Sequence, residues 1–199
     1  MEQPSASAGP HLHGQIVVSR FEYLKRTQGT DSIGRVLEAL PLVDRELLGG
    51  VDRDKWYPFA TLIRLDKAIA RLTGGDAART YERLGEASAQ QRTLWLGEHA
   101  ALVNVHGFLS RIAEEHRRFH NFGSADYRRI NFSVGEISFS DYPETDPIYC
   151  LSARGYFRRS IEHLTGAPVC AEERYCQSRG DIACVWSLRW SSRTDSPAV

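Results

Sequence analysis

The chain lacks an excess of charge of either sign, since Lys and Arg total 25 and Asp and Glu total 25 over 199 residues. Without a positive field there is little counterion release to drive nucleic-acid binding, so none is expected. The pairs Arg117-Arg118, Arg128-Arg129 and Arg158-Arg159 are interspersed with acidic residues and read as solvated faces. No apolar run approaches the roughly 20 residues that a membrane helix needs, which excludes membrane insertion by that route. The opening MEQPSASAGPHLHG has neither the basic segment nor the apolar segment of a secretory signal. A soluble, cytoplasmic protein is the expectation. The sequence also lacks an internal repeat, a His-Glu-x-x-His motif, a glycine-rich phosphate loop and a nucleophile elbow. No acid–base pair or reductant site stands out, and the chain reads as non-enzymatic.

Cysteine is scarce, and its placement is informative. All four cysteines fall between Cys150 and Cys184. Thiols stay reduced in the cytosol, so a cluster there favours metal over disulfides.

The rest of the chain gives an order of elements. Residues 1–13 are rich in Pro, Ser, Ala, Gly and His and read as a disordered or weakly attached segment. From Gly14 a short strand or turn leads into a helix, and Asp31-Ser32 caps another that Pro41 stops. Asp44 to Leu48 forms one more short turn of helix. Trp56-Tyr57-Pro58 begins an amphipathic helix with Leu62, Leu65, Ile69 and Leu72 on one face. Asp76 caps the next, which runs to about Gln91, and a third helical stretch covers roughly Glu98 to Asn121. Tyr127 to Phe132 and Val134 to Phe139 read as two strands. Asp146-Pro147 starts a helix with Cys150, Ala153, Phe157, Ile161 and Leu164 on one face, and Gly166 ends it. Ile182, Cys184, Trp186, Leu188 and Trp190 then alternate as one face of a strand. Helices segregated from a mostly antiparallel sheet make an α+β domain, spanning 14–190, with a polar tail at 191–199.

A hairpin centred on Gly180 places Cys176 opposite Cys184, with Cβ atoms about 5 Å apart. Cys150 on the helix is the third candidate ligand. Two residues compete for a fourth position. Strand parity turns Cys170 to the same face as Cys176, whereas Glu173 reaches that face only through a bulge or turn.

Cys150, Glu173, Cys176 and Cys184 follow the pattern Cys-x22-Glu-x2-Cys-x7-Cys. This spacing resembles the zinc site in sensor domains of bacterial phenol- and aromatic-responsive activators. Those domains belong to the 4-vinyl reductase domain superfamily, which shares its fold with haem nitric-oxide-binding domains and TRAPP tethering subunits. The ending, with Gly180-Asp181 between Cys176 and Cys184 and Trp190 beyond, is similar to that superfamily's closing motif. The span 14–190 also resembles an uncharacterised myxobacterial paralogous family. The matching pieces are Trp56-Tyr57-Pro58, Arg64-Leu65-Asp66, Leu84-Gly85-Glu86-Ala87-Ser88 and the cysteine ending. The resemblance implies a ligand-binding domain, often dimeric, with Glu173 as fourth ligand. Three thiolates and a carboxylate would close a structural zinc shell.

Tyr149, Ser152 and Arg154 resemble the Tyr-x-Ser-x-Arg motif that grips haem propionates, but Tyr and Ser are three apart, not two, on a helical stretch. His116 and His120, at i and i+4, either chelate a metal or face water beside Arg117 and Arg118; water is the expectation. Trp95, His99, Tyr156 and Phe157 could line an apolar pocket with a polar anchor. The functional expectation is a sensor domain, homodimeric, with structural zinc and a small apolar or aromatic ligand. The competing expectation is a protein-interaction module resembling the TRAPP subunits, its pocket vestigial.

Overall fold

A computed structural model describes residues 3–4, 9–96, 104–143 and 146–191, without the side chains of 92–96. Eight helices and six strands are present among them, in the order β1 (His11–His13), α1 (Gly14–Gln28), α2 (Ser32–Glu38), α3 (Leu42–Leu48), β2 (Trp56–Pro58), α4 (Phe59–Thr73), α5 (Ala77–Leu96), α6 (Val105–Leu109), α7 (Ile112–Phe119), β3 (Ser124–Asn131), β4 (Val134–Ser140), α8 (Pro147–Thr165), β5 (Val169–Tyr175) and β6 (Cys184–Trp190). The last four strands form one antiparallel sheet in the order β3-β4-β6-β5. Helices pack on that sheet in an α+β arrangement, as the sequence predicts. None of the described helices is long and apolar enough to cross a membrane.

Helix α8 follows its sequence signals closely. Asp146 accepts a hydrogen bond from the Ile148 amide at 3.0 Å, Pro147 opens the helix, and Gly166 ends it with φ 67°. Asn104 likewise caps α6, accepting from the Gly107 amide at 2.8 Å, so a helix starts there within the stretch expected as one helix over Glu98 to Asn121. That stretch is broken at Ser110-Arg111. Residues 98–103 of that stretch lie outside the described residues.

Two local expectations are overturned at β1 and β2. Trp56-Tyr57-Pro58 is a strand, not the first turn of a helix, and α4 begins at Phe59. Pro58 disfavours the helical region at Tyr57 and pushes it to extended backbone, where it pairs with Leu12. That partner strand is His11–His13, read from sequence as loosely attached. Leu12 is fully buried in the fold.

The buried residues form two clusters. One joins α1, α2, α4 and α5 around Leu24, Leu62, Leu65 and Ile69; the other joins α6, α7 and α8 to the sheet through Phe139, Phe157, Trp186 and Leu188. Helices α5 and α8 cross between them at two glycines. A Cβ added to Gly85 would lie 1.8 Å from the Ser152 carbonyl oxygen, and one on Gly155 would lie 2.1 Å from that of Glu82. The contact is backbone against backbone. Beside it Arg154 pairs with Glu82, and Arg158 with Glu86.

Candidate functional site

Between the two clusters lies a cavity of about 350 Å³. Helix α1 contributes Arg20 to its wall, α5 contributes Gly85 and Ser88, α7 and its C-cap contribute His116 and His120, and α8 contributes Tyr149, Tyr156 and Phe157. Phe139 and Tyr142 line the side toward the sheet.

The floor on the α1 side is built around one arginine. Arg20 is 1% exposed, and its Nε and Nη2 donate to the two oxygens of Asp66, each at 3.1 Å. Its Nη1 donates to Ser88 Oγ at 2.7 Å and to the Leu84 carbonyl at 3.3 Å, and Nη2 also reaches Ser152 Oγ at 2.8 Å. All of its donors are therefore occupied by α4, α5 and α8. Burial pushes the Asp66 carboxyl upward, against the pull of Arg20.

The opposite wall is a ladder of histidines and tyrosines. His116 and His120 stack with ring centres 4.4 Å apart. His116 Nε2 bonds the Tyr142 hydroxyl at 2.8 Å, and His120 Nε2 bonds the Tyr149 hydroxyl. Burial is the main cause that lowers His116 to about 4, with Arg117 adding to it, and His120 to about 3, with His116 adding to it. Both imidazoles are neutral at physiological pH. The expectation that this pair faces water is corrected, because α7 turns it inward and leaves Arg117 and Arg118 outside. Burial also raises the tyrosine hydroxyls, Tyr142 and Tyr149 alike.

Of the residues expected to line a pocket, Tyr156 and Phe157 do so. The side chain of Trp95, and His99 entirely, lie outside the described residues. Arg20, Tyr142 and Tyr149 escaped the sequence reading as pocket residues. Tyr149, Ser152 and Arg154 do not act together, since they bond His120, Arg20 and Glu82 respectively.

On the far side of α8 the cysteines converge. Cys150 Sγ lies 3.5 Å from Cys184 Sγ and 3.7 Å from Cys176 Sγ, and the latter two are 3.9 Å apart. Cys176 sits beyond the end of β5, where a turn over Gln177–Arg179 and the positive φ of Gly180 fold it back. The hydrogen bond from Cys150 is the main cause that lowers the Cys184 thiol to about 6, aided by the Gln177 amide at 3.3 Å. Cys150 correspondingly holds its proton. A register shift between Glu173 and Tyr175 breaks the strand parity that tied Cys170 to Cys176, and Cys170 is exposed. Glu173 is not part of the cluster either, its carboxylate accepting from Arg179 Nη1 at 2.6 Å.

No family model matches the sequence, and no curated protein sequence matches it. Solved structures do match the fold. An H-NOX protein from S. oneidensis in the Fe(II) ligation state superposes with a TM-score of 0.73 at 13% identity, covering 91% of this chain and 97% of that one. An unliganded Fe(II) H-NOX protein from K. algicida gives 0.73 at 10% identity, covering 94% and 100%. An oxygen-binding H-NOX domain related to soluble guanylate cyclases, in its oxygen complex, gives 0.67 at 13%, covering 94% and 100%. The chain has the H-NOX fold. That supports the fold half of the resemblance drawn above, while membership of the 4-vinyl reductase superfamily finds no family-model support.

The expectation of a structural zinc is corrected. Solved structures that match this fold are described by Fe(II) states or by haem. Within this chain the expected shell is also incomplete, because Arg179 holds the Glu173 carboxylate and only three sulfurs come together among the described residues.

The haem named for other matching H-NOX structures is no better matched by the described residues. Where a histidine holds haem iron, it does so through a ring nitrogen. Both nitrogens of His120 are engaged, Nδ1 with the His116 carbonyl at 3.1 Å and Nε2 with Tyr149, and His116 Nε2 is engaged with Tyr142. The cations on the wall are spent as well, Arg20 on Asp66 and Arg118 on Glu114 at 2.7 Å. As bonded, the wall offers haem neither a His120 nitrogen nor an uncommitted cation at Arg20 or Arg118.

Proposed function

We propose that this chain is a non-catalytic sensor domain whose cavity takes a small apolar or aromatic molecule. The observation that carries the reading is the cavity of about 350 Å³ where α1, α5, α7 and α8 meet, walled by aromatic rings with a few convergent polar groups. A homodimer belongs to the same reading; the exposed Leu42, Val43 and Leu47 on α3 offer an apolar face consistent with it. An interaction module with a vestigial pocket is disfavoured by the size of the cavity.

The test is thermal unfolding with indoles, phenols and short lipids. A ligand at 100 times its dissociation constant should stabilise the fold by about 2.7 kcal/mol, which raises Tm by roughly 5–10 °C in a chain of this size. Filling the cavity with Ala153→Phe should abolish the shift. A flat screen would leave the interaction module as the better account.

We further propose that Cys150, Cys176 and Cys184, without Glu173, form a thiolate site for a soft metal ion. Three sulfurs within 3.5–3.9 Å of one another support it. Titration with Cd(II) as probe should give thiolate-to-metal charge-transfer absorption saturating at one equivalent. Cys176→Ser and Cys184→Ser should remove it, and Cys170→Ser should leave it intact. Uptake that survives Cys176→Ser would overturn the assignment.

A further inference from the structure

The hydrogen bonds of the histidine ladder fix which way a proton points in the cavity wall. His120 Nδ1 lies 3.1 Å from the backbone carbonyl of His116, and a carbonyl only accepts. Nδ1 therefore carries the ring proton. The ring is neutral in its buried setting, with no carboxylate bonded to it, so Nε2 is bare and can only accept. The Tyr149 hydroxyl bonded there must be the donor. Its proton is committed to His120, and its oxygen keeps lone pairs with no other partner among the described residues.

The charged groups on the wall point to the same end. Every Arg20 donor is engaged by Asp66, Ser19, Ser88, Ser152 or the Leu84 carbonyl. Arg118 stands at the rim with Glu114 and Glu115. An anionic ligand would enter a space where the histidines are neutral and the cations already neutralised, and would lose its hydration without recompense.

We infer that the cavity selects neutral apolar ligands bearing one N–H or O–H donor, with the Tyr149 hydroxyl oxygen as the acceptor that sets this preference. The inference rests on the sensor reading above and adds the polarity of the ligand's single polar end. Tyr149 becomes a specificity-determining residue. A ligand without a donor leaves its oxygen underbonded, and a carboxylate would present lone pairs to lone pairs.

The experiment compares isosteres by calorimetric titration of the full chain. Indole and benzothiophene have nearly the same shape, but only indole carries an N–H donor. Benzyl alcohol and benzoate form a second pair, neutral donor against anion. Wild type should bind indole roughly tenfold more tightly than benzothiophene, the difference one hydrogen bond to a buried oxygen supplies, and should bind benzyl alcohol while rejecting benzoate. In Tyr149→Phe, which keeps the ring, the indole preference should fall to within about twofold. Equal affinity for indole and benzothiophene in wild type would overturn the inference while leaving the pocket reading standing. Unchanged discrimination in Tyr149→Phe would remove Tyr149 from the role. Failure of all four probes in wild type would count against the pocket itself.

Discussion

Asp66→Ala should be among the most damaging single substitutions in this chain, at about 3–5 kcal/mol. It leaves Arg20, 1% exposed, with two of its donors unpaired in the interior. Total stability of a typical domain is only about 5–15 kcal/mol. Thermal unfolding should therefore show a Tm lower by roughly 10 °C or more, or the variant should fail to accumulate in soluble form. The sharper test is the charge-free pair. Arg20→Met with Asp66→Leu removes both ions together and should recover most of the loss, because a buried pair exchanged for apolar groups of similar volume is often near neutral. A Tm for Asp66→Ala within a degree or two of wild type would show that Arg20 finds water instead.

Gly155→Ala should destabilise by about 3 kcal/mol, the upper end of overpacking costs. Helix propensity alone says the opposite, since alanine in a helix interior is favoured over glycine by about 1 kcal/mol. The sign of the measured change thus decides between propensity and packing. Packing wins here because the obstruction is the Glu82 carbonyl, 2.1 Å from the new Cβ, which is backbone and cannot rotate away. Gly85→Ala meets the Ser152 carbonyl in the same way and should behave alike. Gly34→Ala in α2 is the control, because nothing lies within 4 Å of its Cβ position. It should gain roughly 0.5–1 kcal/mol. Urea unfolding of the three variants reads all of these signs directly.

Periodicity carried the sequence reading well where one face of an element meets one core. Helix α8, with Asp146, Pro147 and Gly166 as its punctuation, and the alternation of β6 are cases of this. It failed where a partner remote in sequence decides the outcome. Pro58 favours extended backbone at Tyr57, but the pairing of Trp56 to Pro58 with His11 to His13 has no local signal. The buried ion pair left a trace that went unread. Asp66 stands among Leu62, Leu65 and Ile69 on the apolar face of an amphipathic helix, and a carboxylate so placed requires a cation brought from elsewhere. Gly85 and Gly155 left a similar trace, as isolated glycines inside strong helices. The thiol cluster was legible in its three sulfurs. Its supposed fourth member was not, because a single register shift in β5 decides where Glu173 and Cys170 face.

Helix α8 is fastened within its first turns to three separate bodies: Cys150 to the terminal hairpin, Ser152 to Arg20 of α1, and Gly155 to the backbone of α5. In mechanical terms it is the fixed jaw of the cavity, unable to roll or slide without breaking one of these. The opposing jaw is short, formed by α6 and α7 of five and eight residues. Strain imposed by an occupant is therefore expected to be taken up by α7. From there it passes to β3, against which α7 packs, and into the amino-terminal strand, where Asn121 accepts from the His11 amide at 2.6 Å and Leu12 bridges to His120. The compliant side of the cavity is thus also the side that leads to the surface.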